Sequence, residues 1–173
     1  MRVLLLFVFT ILVSANTLNL SSEAFNKKVI PREFACIELG GKNISLPFSW
    51  SSQKGNLKFA LIVDDETPPC GKRDKACIHW AIFNIPANVS TLIKNQNLKA
   101  LSLQITQGKN YKNQIGYAGP CPPSKHLYKA TLYLLKPQTP NIPDGAKFTR
   151  SSFEKRFKNF ILKKETIKAY FTP

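Results

Sequence analysis

The chain has 173 residues, 43% of them apolar, with 25 Lys and Arg against 10 Asp and Glu and a formal charge of +15. That length suits one domain with a real hydrophobic core and excludes two ordinary ones. So basic a chain attracts phosphate, anionic lipid or acidic protein through forces that weaken with salt, but its lysines run from Lys27 to Lys168 without a dense tract, which argues for a solvated surface and against a dedicated nucleic-acid site.

The first element in chain order is a leader. Arg2 supplies a positive start, Val3 to Val13 is apolar, and Val13-Ser14-Ala15 offers small residues for a signal peptidase. The apolar run is shorter than the roughly 18 to 20 residues a spanning helix needs. Residues 1–15 therefore read as a cleaved signal peptide and residues 16–173 as a single exported domain, periplasmic if the source is bacterial and otherwise secreted.

The rest is short apolar runs punctuated by Gly, Pro and Asn, the pattern of an antiparallel β domain. Arg32 to Ile37 and Leu46 to Trp50 are weak strand candidates, and Leu57 to Val63 is a clear one. Asp64-Asp65-Glu66-Thr67-Pro68-Pro69 then ends that strand in acids and prolines. Cys70 and Cys77 bracket a short polar segment that a local disulfide would close, leaving Cys36 and Cys121 to meet or stay free; an exported chain favours disulfides over thiols, and three pairings are open. Ile78 to Asn84, carrying His79, is a second clear strand, and Lys99 to Ile105 a weak one.

Gly116-Tyr117-Ala118-Gly119-Pro120-Cys121-Pro122-Pro123 makes a stiff loop before His126 and the third clear strand, Lys129 to Leu135. Ser151-Ser152-Phe153-Glu154 has the form of a capping box, so a helix is expected from there, with Phe153, Phe157, Phe160 and Ile161 facing a sheet and Lys155, Arg156 and Lys158 in water. Thr166 to Phe171 forms a last strand or a packed extension. His79 and His126, the only two histidines, each sit beside a Pro-rich loop at a strand end, where binding groups gather.

Several stretches together resemble the phosphatidylethanolamine-binding proteins, also called Raf kinase inhibitor-like proteins, in their bacterial branch. They are Cys36 with Asn43-Ile44-Ser45-Leu46-Pro47-Phe48-Ser49-Trp50, Phe59 to Asp65, His79-Trp80 with Asn84-Ile85-Pro86, and Gly116 to Pro123 with His126 and Tyr128. The resemblance runs in family order from Phe34 to Leu135. It implies a mainly β fold, a large antiparallel sheet packed on a smaller one with a C-terminal helix, and a small pocket for phosphate-like anions or phospholipid headgroups.

Carried over by position, Asp65, His79, His126 and Tyr128 are the pocket's polar groups, and Pro69, Gly119 and Pro120 shape its walls. The function implied is non-enzymatic binding without a cofactor, with a protein partner for the pocket in prospect, since relatives inhibit kinases and proteases. Glu66 and Thr67 stand where the family has Pro and a second Asp, altering the acidic wall. Leu127 stands for the usual Arg, and Lys125, Lys72, Arg73 and Lys75 are placed to add charge at the rim. The competing readings are a basic surface protein for acidic envelope or host molecules, a hydrolase using Cys121 or a hydroxyl, and a zinc site from Cys70, Cys77, His79 and His126.

Overall fold

In a computed structural model the described residues are 17–173; the proposed leader lies outside them. Seven strands and two helices follow in order: β1 (Phe48–Ser49), β2 (Lys58–Asp65), β3 (Cys77–Pro86), β4 (Thr91–Leu92), α1 (Leu98–Leu101), β5 (Thr106–Gln107), β6 (His126–Leu135), α2 (Arg150–Phe157) and β7 (Ile161–Phe171). A five-stranded sheet runs β5-β3-β2-β6-β7 and a two-stranded one pairs β1 with β4, every ladder antiparallel. This is the mainly β architecture the sequence pattern predicts, with the large and the small sheet that the family resemblance implies.

The three clear strands read as continuous apolar runs because both faces of the large sheet are covered. Phe59, Leu61 and Val63 of β2 join Ala130, Leu132 and Leu134 of β6 and Trp80 of β3 in a core on one face. Ala60 and Ile62 join Tyr133, Phe83 and the α2 residues Phe153 and Phe157 in a second core on the other. Alternation along β2 therefore sends its last two residues, Asp64 and Asp65, to opposite faces.

Four expectations are corrected. Arg32 to Ile37 is not a strand but parts of two short 3-10 turns, Arg32–Phe34 and Ile37–Leu39, whose backbone is used by a distant loop: Cys36 N–H donates to the Pro120 carbonyl at 2.9 Å and Tyr117 Oη to the Phe34 carbonyl at 2.8 Å. Lys99 to Ile105 is not a strand either. Leu98–Leu101 is a turn of helix started by Asn97, whose side chain accepts from Lys99 N–H, and a short apolar run does not distinguish the two states.

The cap of α2 is Thr149 rather than Ser151: its hydroxyl accepts from Ser152 N–H at 3.1 Å, while Glu154 instead accepts from Tyr133 Oη at 3.0 Å and pairs with Lys164. Finally, α2 ends at Phe157, so Phe160 and Ile161 lie beyond it, and β7 begins at Ile161 and includes the whole expected tail strand. Lys155, Arg156 and Lys158 are exposed as expected.

Candidate functional site

Asp65 closes β2 on the face of the larger core and is directly opposite Tyr128 of β6. Its Oδ1 accepts from Thr67 N–H at 2.7 Å, the side-chain turn by which an aspartate ends a strand. Its Oδ2 lies 2.6 Å from Nδ1 of His126, two residues along β6 from Tyr128 and on the same face. A carboxylate only accepts, so Nδ1 carries the proton and Nε2 is the nitrogen left for a ligand.

His79 reaches the same place through an irregularity in β3. Val63 pairs with Trp80 but Asp64 with Ile78, which leaves His79 as the extra residue of a bulge. Bulges re-aim side chains, and this one turns His79 to the Asp65 side of the sheet. There its ring lies 5.0 Å from Tyr128, edge to face, and 4.7 Å from Tyr111. Nδ1 donates to the Ala118 carbonyl at 2.7 Å, and Ala118 N–H donates back to the His79 carbonyl at 2.8 Å. Burial pushes the imidazole down to about 4, outweighing the Ala118 carbonyl and the Asp65 charge that favour protonation, so His79 is neutral in neutral water. Burial likewise holds the Tyr128 hydroxyl far above its usual value, as an O–H.

Asp65, Pro69, His79, His126 and Tyr128 line one cavity of about 160 Å³. A larger groove of about 540 Å³ lies beside Phe48 and Leu92. Volume does not decide between them. Three buried side-chain polar atoms among the described residues lack a partner, and two of them, His126 Nε2 and Tyr128 Oη, belong to the small cavity; the third is Trp50 Nε1. Burying such atoms is costly unless something bonds them.

Gly119 and Pro120 are buried and are not among the residues that line the cavity. Gly119 packs so closely that a Cβ would sit 2.4 Å from the Phe34 carbonyl oxygen, and its N–H donates to Asn43 Oδ1 at 2.7 Å. Sequence reasoning missed Tyr111, which comes from a loop with no motif of its own, and the wall made by sulfur: Cys70, Cys77 and Cys121 all line the cavity. Two disulfides join Cys70 to Cys77 and Cys36 to Cys121. Their sulfurs are therefore neither nucleophiles nor thiolate ligands, which removes Cys121 catalysis and the zinc set built on Cys70 and Cys77. The one metal-competent cluster among the described residues, Cys36, Glu38 and Cys121, contains the same disulfide.

The side chains expected at a basic rim are not among the lining residues. Lys72, Arg73 and Lys75 are exposed and outside the lining, and Lys125 stacks over the Tyr170 ring at 4.3 Å. Glu66 is no acidic wall: it turns to the opposite face, where it bonds Lys129, Arg150 Nη2 at 3.0 Å and Arg73 N–H at 3.0 Å. Burial would raise its carboxyl, but these partners outweigh it and hold it down at about 2. Arg150 also meets the buried Asp64 at 3.2 Å, yet burial wins there and the Asp64 carboxyl stands at about 6.

Comparison with known proteins matches residues 20–172 to the family model described as phosphatidylethanolamine-binding protein. A UPF0098 protein of Methanothermobacter thermautotrophicus is 41% identical over 122 residues, 68% of this chain and 76% of that one. The Mycobacterium tuberculosis protein named lipoprotein LppC is 33% identical over 138 residues, 77% of this chain and 62% of its own length. The crystal structure of a phosphatidylethanolamine-binding protein homologue from Chlamydia trachomatis superposes with a TM-score of 0.72 at 28% identity, covering 92% of this chain and 99% of that one.

Proposed function

The chain belongs to the phosphatidylethanolamine-binding protein family, and from that membership we propose that it is an exported, non-enzymatic binding protein whose cavity receives a small phosphate-like anion, free or as part of a headgroup. The observation that carries this reading is the pair of buried, unpartnered atoms, His126 Nε2 and Tyr128 Oη, in one cavity with His79. A phenol O–H donates to a phosphate oxygen, and an imidazole whose Nδ1–H is held by a carboxylate meets a phosphate with its other nitrogen, accepting from a P–O–H as the neutral ring or donating to a phosphate oxygen as imidazolium. The strong excess of Lys and Arg over Asp and Glu, which loses only Arg2 with the leader, steers anions toward the molecule, and the rigid sheet keeps the polar groups in place before they arrive.

Export is supported by two disulfides, which persist in oxidising compartments, by the apolar leader in residues 1–15, and by a relative described as a lipoprotein. We read residues 16–173 as the mature single domain. Among the described residues no helix is long and apolar enough to cross a membrane.

Isothermal titration of the purified chain with phosphate and phosphorylethanolamine tests the function. Binding to wild type that is lost in His126→Ala and weakened in His79→Ala is the expected result. No binding to wild type, or equal affinity in both variants, would overturn it. In the latter case the basic surface alone is the binding element, and affinity collapses with salt.

A further inference from the structure

We propose that the outer edge of β7 docks an extended acidic segment of a partner protein, which joins the five-stranded sheet as a further antiparallel strand beside Lys164, Thr166 and Lys168. This surface shares no residue with the cavity lining, and the proposal does not depend on the anion-binding reading.

β7 is the last strand of the large sheet and pairs with β6 on one side only. Along such a strand the backbone N–H and C=O groups of successive residues point alternately toward the partner strand and away from it. Tyr170 fixes which residues point away. Its N–H donates to the Lys28 carbonyl and its carbonyl accepts from Ile30 N–H, both at 2.8 Å, so its backbone groups face out from β6. Lys168, Thr166 and Lys164 share that phase, in unbroken register with Lys129, Thr131 and Tyr133 of β6. All three are exposed, and among the described residues no group takes up their outward N–H and C=O.

The edge already holds one extended segment. Residues 28–30 run parallel to β7, with Val29 bridged to Tyr170. The pairing stops at Lys28, whose backbone is left-handed (φ 56°) and whose N–H turns back to the Phe25 carbonyl at 2.9 Å, leading the chain to the buried Phe25. The open rungs at Lys168, Thr166 and Lys164 continue the same row beyond that turn.

Charge decides the occupant. Lys163, Lys164 and Lys168 stand on this strand against Glu165 alone, and Lys28 adds charge where the row is closed. Glu154 of α2 offsets part of it by holding Lys164 at 2.9 Å. Lysines on an edge repel a second edge of the same kind, which discourages pairing between two copies of the chain. The same lysines attract a strand of opposite sign. Lys164, Thr166 and Lys168 project onto the α2 face, so acids four residues apart on the incoming strand, with a hydroxyl midway, meet all three. On the other face the half-buried Ile167 offers apolar contact to the residue between. Main-chain bonds supply the affinity of such an added strand and the side chains its specificity.

The probe is the acetylated and amidated peptide Ser-Glu-Val-Thr-Val-Glu-Ser, titrated into the full chain. It is expected to bind, and a counterpart with lysine for both glutamates to bind at least about tenfold more weakly, the scale of turning two attractive cross-strand pairs repulsive. N-methylation of the peptide's threonine keeps every side chain, removes the rung opposite Thr166 and should abolish binding. Lys168→Glu should weaken the glutamate peptide about fivefold. Amide hydrogen exchange gives the direct reading: the N–H groups of Lys164, Thr166 and Lys168 should slow when the peptide is bound, while those of Lys163, Glu165 and Ile167, turned to β6, are slow with or without it.

No binding of the glutamate peptide to the folded chain, equal binding of the lysine or N-methylated peptide, or binding that leaves those three amides unprotected overturns the proposal. Displacement of the peptide by inorganic phosphate at constant ionic strength also overturns it, because the peptide then occupies the cavity. Protection of the three amides in the concentrated chain without peptide overturns it as well and assigns the edge to a second copy.

Discussion

Thr67 and Leu127, two of the positions where the sequence departs from the pattern it resembles, meet. Thr67 uses its backbone N–H to hold Asp65 and its hydroxyl to accept from Leu127 N–H at 3.1 Å, tying the turn after β2 to the start of β6. Leu127 itself alternates with His126 and Tyr128 along the strand and so points away from the cavity. Leu127 is not among the residues that line the cavity. Thr67→Val keeps the shape but strands the Leu127 N–H, and should cost about 1 to 2 kcal/mol of unfolding free energy by urea titration. Thr67→Ser should recover most of it. Equal stability of the valine variant and wild type would show that the bond contributes nothing.

Elements are joined across the other sheet face by charge. Arg150, the first residue of α2, spans the buried Asp64 of β2 and Glu66, and Glu66 also holds Lys129 of β6. The two carboxyls respond to pH in opposite senses. Asp64, held up at about 6 by burial, contributes stability below its ordinary 3.8 that is lost as pH rises through 6. Glu66, held down at about 2 despite burial, contributes stability above its ordinary 4.5 that is lost as pH falls through 2. Glu66→Gln should therefore be less stable than wild type by about 2 kcal/mol near neutral pH, allowing for its partial exposure, with the difference shrinking toward strong acid. A difference that stays constant across that range would show that Glu66 gains nothing from its ionic partners.

At the scale of the molecule, the disulfides enclose very different lengths of chain, 85 residues for Cys36 to Cys121 and 7 for Cys70 to Cys77. By loop entropy, replacing the first pair with serine should cost about 4.5 kcal/mol and the second about 2.4 kcal/mol. Thermal melts should rank the variants in that order, and the reverse order would mean that native contacts, not the unfolded chain, set the cost. The sequence by itself determined the three central strands, because strands covered on both faces must be apolar throughout, and it determined which histidines, aspartate and tyrosine stand at their ends. It also pointed to the short disulfide, since seven residues of separation keep the two cysteines close whatever the fold. Only the tertiary structure decided the rest. The bulge that aims His79, the arrival of Tyr111, the rotation of Glu66 out of the site, and the choice of Thr149 as cap all depend on strand register and on partners distant in the chain. The same holds for the 61-residue reach from Asp65 to His126. Periodicity along a chain records how each residue meets solvent, whereas a site is made by which residues meet each other.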